Sequence, residues 1–301
     1  GILAFFIVQV HNGKHQNFLH TEHTMSIFTA KPNLKKSLAL LALAPLVLTG
    51  CVSTASDGEN GEVNLINNGV LTVCTNTPYK PFEYEENGKI VGIDADIANA
   101  IAKDLGAEAQ LTSISFEGLD SGTGLTSGQC DIALAGISVT DERKSKMEFT
   151  DVYFEDNQAI LVPKNSKISS VEDLKNAKVG AQQATSGESY AKEKGADVVQ
   201  YEDNELMFSA LKTGQVQAVS ANLSVISEAL TKDPDSFKIA YQTSENADQI
   251  AGAVAPEKKA LLDKANKTIQ QLKSSGELDK IKEKWTKTKS SPSSASSSSA
   301  N

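Results

Sequence analysis

Histidine is almost missing. The four in this 301-residue chain, His11, His15, His20 and His23, all fall in its first 23 positions. Everything downstream lacks an imidazole for acid–base work and the commonest neutral metal ligand. Arginine is scarcer still: of 29 basic residues only Arg143 is an arginine. Lysine therefore supplies the general surface charge. A lone guanidinium is either a survivor of that bias or a position that needs a planar fork able to hold a carboxylate bidentately. Excess positive charge is also lacking. A net charge of −9 gives no basic footprint for phosphates and argues against a nucleic-acid partner. No phosphate-cradling Gly-rich loop, metal-ligand cluster or paired nucleophile and base appears, so no cofactor, metal or catalytic residue is expected.

No apolar run is long enough to span a bilayer, but one short run is informative. From Met25, the lysines Lys31, Lys35 and Lys36 precede an apolar stretch, Ser37 to Leu48, which ends in Leu48-Thr49-Gly50-Cys51. A positive segment, a short apolar core and small residues before a processing point describe an export signal over 25–50. Its end resembles a bacterial lipobox, which would make Cys51 the lipid-bearing first residue of the exported chain. The competing reading is an ordinary signal peptide with an incidental cysteine. Residues 1–24 read as an upstream extension, since the apolar stretch Gly1 to Val10 is too short to cross a membrane. A lipid on Cys51 would hold the protein at the outer face of the bacterial cell membrane without a spanning helix.

Residues 51–68 are polar and Gly/Asn-rich, as in a tether, and 287–301 form a Ser-rich tail without material for a core. Between them, 69–286 alternate short apolar strands with helical periods. Val70 to Val73 predicts a strand, Ile93 to Leu105 a helix, and Asp131 to Ile137 a strand buried on both faces. A second α/β unit starts at Lys178, with a helix over Glu205 to Lys212 and a strand over Val216 to Val219. An amphipathic helix over Leu261 to Leu278 follows. Ligands of such sheets bind beyond the carboxyl ends of the strands, and here also between the two units.

Several runs carry a resemblance, in order and over nearly all of 69–286. They are Pro78-Tyr79-Lys80-Pro81-Phe82-Glu83-Tyr84, Gly92-Ile93-Asp94-Ala95-Asp96-Ile97, Phe116-Glu117-Gly118-Leu119 and Gly128-Gln129-Cys130-Asp131-Ile132. The most specific is Ala135-Gly136-Ile137-Ser138-Val139-Thr140-Asp141-Glu142-Arg143. In the second unit, Val179 to Glu188 and Ala210 to Val216 fit as well. Together these resemble the bacterial extracellular solute-binding proteins of family 3.

The resemblance implies an α/β periplasmic-binding-protein fold, two α/β lobes joined by two hinge strands. Lobe 1 would comprise 69–155 and 250–286, and lobe 2 160–247. The lobes would close on a free amino acid and deliver it to an ABC transporter permease; a monomer is expected. In the family pattern, Arg143 would clamp the ligand α-carboxylate. Thr140 would add its N–H and hydroxyl, with Ser138 and the Gly136 carbonyl on the same side. Turn chemistry and capping of a helix near Asp141 would equally explain these three. Thr185 and Ser186 would donate from a helix N-terminus, or simply cap it. Tyr79 and Phe116 would sandwich the ligand side chain, unless Phe116 is core; Phe82 is assigned to packing. The chain departs from many relatives at Asn76 and Asn222, where they carry carboxylates. Both changes remove negative charge from the cleft, so a polar neutral or acidic amino acid is favoured over a basic one. Asn222 could still accept from the ligand ammonium through its amide oxygen. Gln182 and Gln183 are candidate side-chain contacts or merely solvated.

Cys74 and Cys130 can form a disulfide in an oxidising compartment, although a simple parallel register would hold them several residues apart. The pair Asp94 and Asp96 suits the first turn of a helix better than catalysis. Glu83 to Glu86 reads as a solvated hairpin. Two other functions remain open on the same fold. One is a cyclohexadienyl dehydratase-like enzyme, which without histidine would need Asp, Glu or Lys as its acid and base. The other is an extracellular sensory module acting in trans.

Overall fold

A computed structural model describes residues 61–244 and 246–286. The upstream extension, the export signal with Cys51, most of the tether and the Ser-rich tail lie outside the described residues. No described helix is long and apolar enough to cross a membrane.

The chain opens with β1 (Val70–Thr75), whose inner side chains Leu71 and Val73 are fully buried. A hairpin of β2 (Tyr84–Glu86) and β3 (Lys89–Val91) leads to α1 (Ile93–Asp104). Ile93, Ile97, Ala98, Ile101 and Ala102 recur at helical spacing and give α1 one buried face. Then come β4 (Glu108–Ser113), the short helices α2 (Phe116–Asp120) and α3 (Thr123–Thr126), β5 (Ile132–Ala133), α4 (Asp141–Lys144) and β6 (Glu148–Phe149). The chain leaves this lobe through β7 (Phe154–Asp156) and builds β8 (Gln158–Pro163), β9 (Lys178–Gln182), α5 (Ser186–Glu193), β10 (Asp197–Tyr201), α6 (Asn204–Lys212), β11 (Ala218–Asn222), α7 (Leu223–Lys232) and β12 (Phe237–Gln242). It returns through β13 (Asp248–Ile250) to add β14 (Ala253–Val254), α8 (Lys259–Ser274) and α9 (Glu277–Thr286).

Two five-stranded sheets result. The first has the order β4-β1-β5-β14-β6, and the second β10-β9-β11-β8-β12. In each, three neighbouring strands run parallel and the next is antiparallel to them, the returning strand β14 in the first sheet and the entering strand β8 in the second. Between the sheets, β7 and β13 pair antiparallel, with Asp156 opposite Asp248 and Phe154 opposite Ile250. These are the two chain crossings between the lobes. The carboxyl ends of β1 and β11 place Asn76 and Asn222 in the space between them.

Three local readings change. The strand expected over Asp131–Ile137 shrinks to β5. The Asp131 carboxylate is occupied before it, accepting from Ile66 N at 2.9 Å and Thr72 N at 3.0 Å. After β5 the chain turns at Gly136, where φ is +56° and a Cβ would lie 2.8 Å from the Tyr79 ring. The single amphipathic helix expected over Leu261–Leu278 is two, broken at Gly276. The hairpin at Glu83–Glu86 forms, yet Glu83 is not solvated: it is fully buried.

The disulfide left open between Cys74 and Cys130 forms, with Cα atoms 5.6 Å apart. Strand register alone argued for separation, because Cys74 is opposite Ala133. The chain leaves the strand line before Ile132, however. Gln129 N and Cys130 N both donate to Gly124 O, at 3.1 and 3.2 Å, and this loop folds Cys130 back against β1.

Candidate ligand-binding site

Arg143 is 3% exposed and lies where the two lobes meet. Its place follows from local chemistry. The turn at Gly136 ends β5, and Thr140 caps α4 by accepting from Arg143 N at 3.2 Å. The guanidinium then reaches in three directions. Nε donates to Asp120 Oδ1 at 2.8 Å, Nη1 to Ser138 O at 2.7 Å, and Nη2 crosses to the second lobe, to Ala184 O at 2.8 Å. Its Cζ sits 5.3 Å from the centroid of Phe116, so that ring covers one face of the cation. Asp120 is a site residue that sequence reasoning missed. It directly follows the Phe116–Leu119 run, and an acid on the same short helix as an arginine-facing ring was the available signal.

The remaining expected residues gather around this point. Ser138 Oγ is 3.1 Å from Ser186 Oγ across the cleft and donates to Asp248 Oδ2 at 2.8 Å. Gln158 Nε2 donates to the same Asp248 oxygen at 2.8 Å and to Ser186 Oγ at 2.9 Å. Asn222 Nδ2 approaches Asp248 Oδ2 at 3.3 Å, while its Oδ1 accepts from Tyr79 OH at 3.0 Å. Burial and the nearby carboxylates of Asp156, Glu83 and Asp248 raise the Tyr79 phenol far above its ordinary range, so it stays a donor. Asn76 Nδ2 donates to Ile114 O at 2.8 Å, and its Oδ1 accepts from Gln182 Nε2 at 2.7 Å, again from the other lobe. At the rim, Gln183 Nε2 meets Glu117 Oε2 at 3.3 Å. The lobes are thus closed on one another through Arg143, Ser138, Tyr79, Asn76 and Glu117.

Thr185 is brought to the edge of this group, but its hydroxyl is engaged locally. It donates to Gln182 O at 2.7 Å and accepts from Glu188 N at 3.3 Å as the cap of α5. Ser186, one residue on, faces the cleft. The first turn of α5 can press this close because residue 187 is glycine: a Cβ there would lie 2.7 Å from Ser220 O. Gly136 packs beneath Tyr79 and Phe82 and turns its N–H away from the cleft, to Asp94 Oδ2 at 2.6 Å.

Asp248 and Gln158 are the larger omissions of the sequence reading. Asp248 opens the hinge strand β13 and Gln158 opens β8 just beyond β7, in stretches without a motif or period to draw attention. Their effect is considerable: a carboxylate stands within hydrogen-bond reach of Ser138, Gln158 and Asn222. The charge that seemed lost at Asn76 and Asn222 is supplied from the hinge. Among the described residues, no group of three or more His, Cys, Asp or Glu could hold a metal ion.

What the arrangement can do is grip a small polar molecule between two hinged halves, with a cation, Arg143, and an anion, Asp248, both hydrogen-bonded to Ser138. Residues 71–288 match the bacterial extracellular solute-binding proteins, family 3. The chain belongs to that family. Among curated relatives of this solute-binding protein, the arginine-binding extracellular protein ArtP of Bacillus subtilis is 34% identical over 258 residues, covering 84% of this chain and 98% of ArtP. The ABC transporter glutamine-binding protein GlnH of the same organism is 34% identical over 270 residues, covering 83% of this chain and 96% of GlnH. Among solved structures, the amino acid ABC transporter substrate-binding protein AbpA from Streptococcus pneumoniae, bound to L-arginine, superposes with a TM-score of 0.68 at 36% identity. That match covers 73% of this chain and 95% of AbpA.

Proposed function

We propose that this chain is the amino-acid-binding component of an ABC importer, held at the outer face of the cell membrane by a lipid on Cys51. One observation carries the reading: the chain's single arginine is buried between the lobes with its fork directed across the cleft. Three of its five N–H groups are fixed by Asp120, Ser138 O and Ala184 O. A ligand α-carboxylate would take the rest, joined by the Thr140 hydroxyl and by Ser186. The ammonium end would meet Asp248, with Asn222 and Ser138 beside it. Tyr79 and Phe116 would flank the side chain, and the carboxamides of Asn76 and Gln182 suit a polar neutral one. A basic side chain is the second reading. It is favoured by Glu117 and Glu202, which border a cleft of about 260 Å³ at the rim, and by the arginine named for ArtP and AbpA.

A thermal-shift screen over the common amino acids tests both the class and the side chain. A ligand at a hundred times its Kd raises stability by about 2.7 kcal/mol, so a true ligand stands out. Arg143→Ala should abolish the shift. Arg143→Lys should weaken binding about 100-fold, because an ammonium cannot reproduce the fork. No shift with any amino acid would overturn the ligand class. Cys51→Ala should release the protein into the medium, and the purified domain should leave prephenate and arogenate unchanged.

A further inference from the structure

Beneath the cleft, two carboxylic acids are buried side by side. Glu83 and Asp94 both have no exposed surface, and neither forms an ion pair with a described lysine or arginine. Counted as two carboxylates, Glu83 Oε1, Glu83 Oε2 and Asp94 Oδ1 lack a donor, a costly condition in the interior. A proton between them cuts the deficit from three oxygens to one, since one acid then donates to the other. Burial, and then the adjacent Asp94 charge, push the Glu83 carboxyl well above its ordinary range, while burial raises Asp94 to about 6. Both shifts favour a proton held by the pair as a unit.

The two acids anchor two different loops of the first lobe's wall of the cleft. Glu83 closes the turn that carries Tyr79: Tyr79 N donates to Glu83 O at 2.7 Å and Glu83 N to Tyr79 O at 3.1 Å. Asp94 accepts from Gly136 N at 2.6 Å, at the start of the loop that runs through Ser138 and Thr140 to Arg143. Asp94 N also donates to Phe82 O at 3.0 Å. The other titratable groups facing the pair are phenols, Tyr153 from the segment before β7 and Tyr79 from the turn itself. The Thr75 side chain and the Asn76 backbone, at the end of β1, lie near enough to lower the Glu83 carboxyl in part, but neither completes a hydrogen bond to it. No other charged group acts on either carboxyl.

We propose that Glu83 and Asp94 hold one proton between them at neutral pH, and that this shared hydrogen bond fixes the Tyr79 turn and the Gly136–Arg143 loop relative to one another. Both are positioning residues, acting on the cleft through the backbone they anchor. Loss of the proton places two like charges in contact and drives the two loops apart.

The test needs no ligand. Unfolding the protein at pH 7 in weakly buffered solution should release about one proton more from the wild type than from Glu83→Gln, which keeps the bond without the titrating group. Amide exchange, corrected for its intrinsic pH dependence, gives the positional readout. From neutral to mildly alkaline pH, protection of Gly136 N–H and Tyr79 N–H should fall together, roughly tenfold per unit, in the wild type and hold steady in Glu83→Gln. Equal proton release from the two proteins would overturn the proposal, as would the same loss of Gly136 protection in both. Should Glu83→Gln fail to fold, carboxyl-carbon NMR of the wild type decides. A signal at the protonated position from either Glu83 or Asp94 at neutral pH supports the shared proton, and both signals at the ionised position overturn it.

Discussion

At the scale of single residues, the cleft shows how a charge can move along the chain without leaving the site. Asn222 ends β11 with its amide nitrogen toward Asp248 and its oxygen toward Tyr79, so its oxygen is already engaged. The full negative charge comes instead from Asp248 on the hinge. Asp248→Asn should therefore weaken binding of an amino acid about 10- to 100-fold, the worth of a partly buried charge-assisted hydrogen bond. The same variant should bind the corresponding 2-hydroxy acid about as well as the wild type does, which calorimetry with both ligands would measure. An equal loss for both ligands would place Asp248 in a purely structural role.

At the scale of elements, legibility tracked locality. Helix α1 and strand β1 were readable because their buried positions repeat at a fixed spacing. The Gly136–Arg143 loop was readable because its residues lie within one short run. Asp248 and Gln158 were not, since they reach Ser138 only through the pairing of β7 with β13, a long-range event with no local period. Glu83 was misread for a related reason. Its neighbours Glu85 and Glu86 are exposed, while the first acid of the run is buried beside Asp94, Thr75 and Asn76, which lie far from it in the sequence or outside the hairpin. The Cys74–Cys130 bond likewise depended on a loop, folded by Gly124, that a strand register omits. This bond spans 56 residues and ties β1 to the segment before β5. Its loss, by reduction or by paired Cys74→Ala and Cys130→Ala, should cost about 4 kcal/mol on loop entropy, read from urea unfolding.

At the scale of the whole molecule, stability should carry a pH signature from the hinge. Asp156 ends β7 and accepts from Ser224 N at 3.3 Å and from the Ser224 hydroxyl, which fastens the crossing to α7. Burial raises its carboxyl to about 6, above the ordinary value near 4. The folded protein thus favours the protonated form. The resulting stabilisation is complete below about pH 4 and lost as pH rises through about 6, up to about 3 kcal/mol in all. Asp156→Asn has no proton to lose there. Its stability relative to the wild type should rise between pH 4 and pH 7 in parallel denaturant titrations, and a constant difference would refute this account of the hinge.

The order of strands in the first sheet also sets a timetable for manufacture. Strand β14 lies between β5 and β6, and Leu261, Ala265 and Ile269 of α8 join the core that α1 occupies. The lobe translated first therefore waits, with its middle unfilled, until the other lobe has been made in full. A chain cut short after β12 would hold a complete second sheet and only fragments of the first.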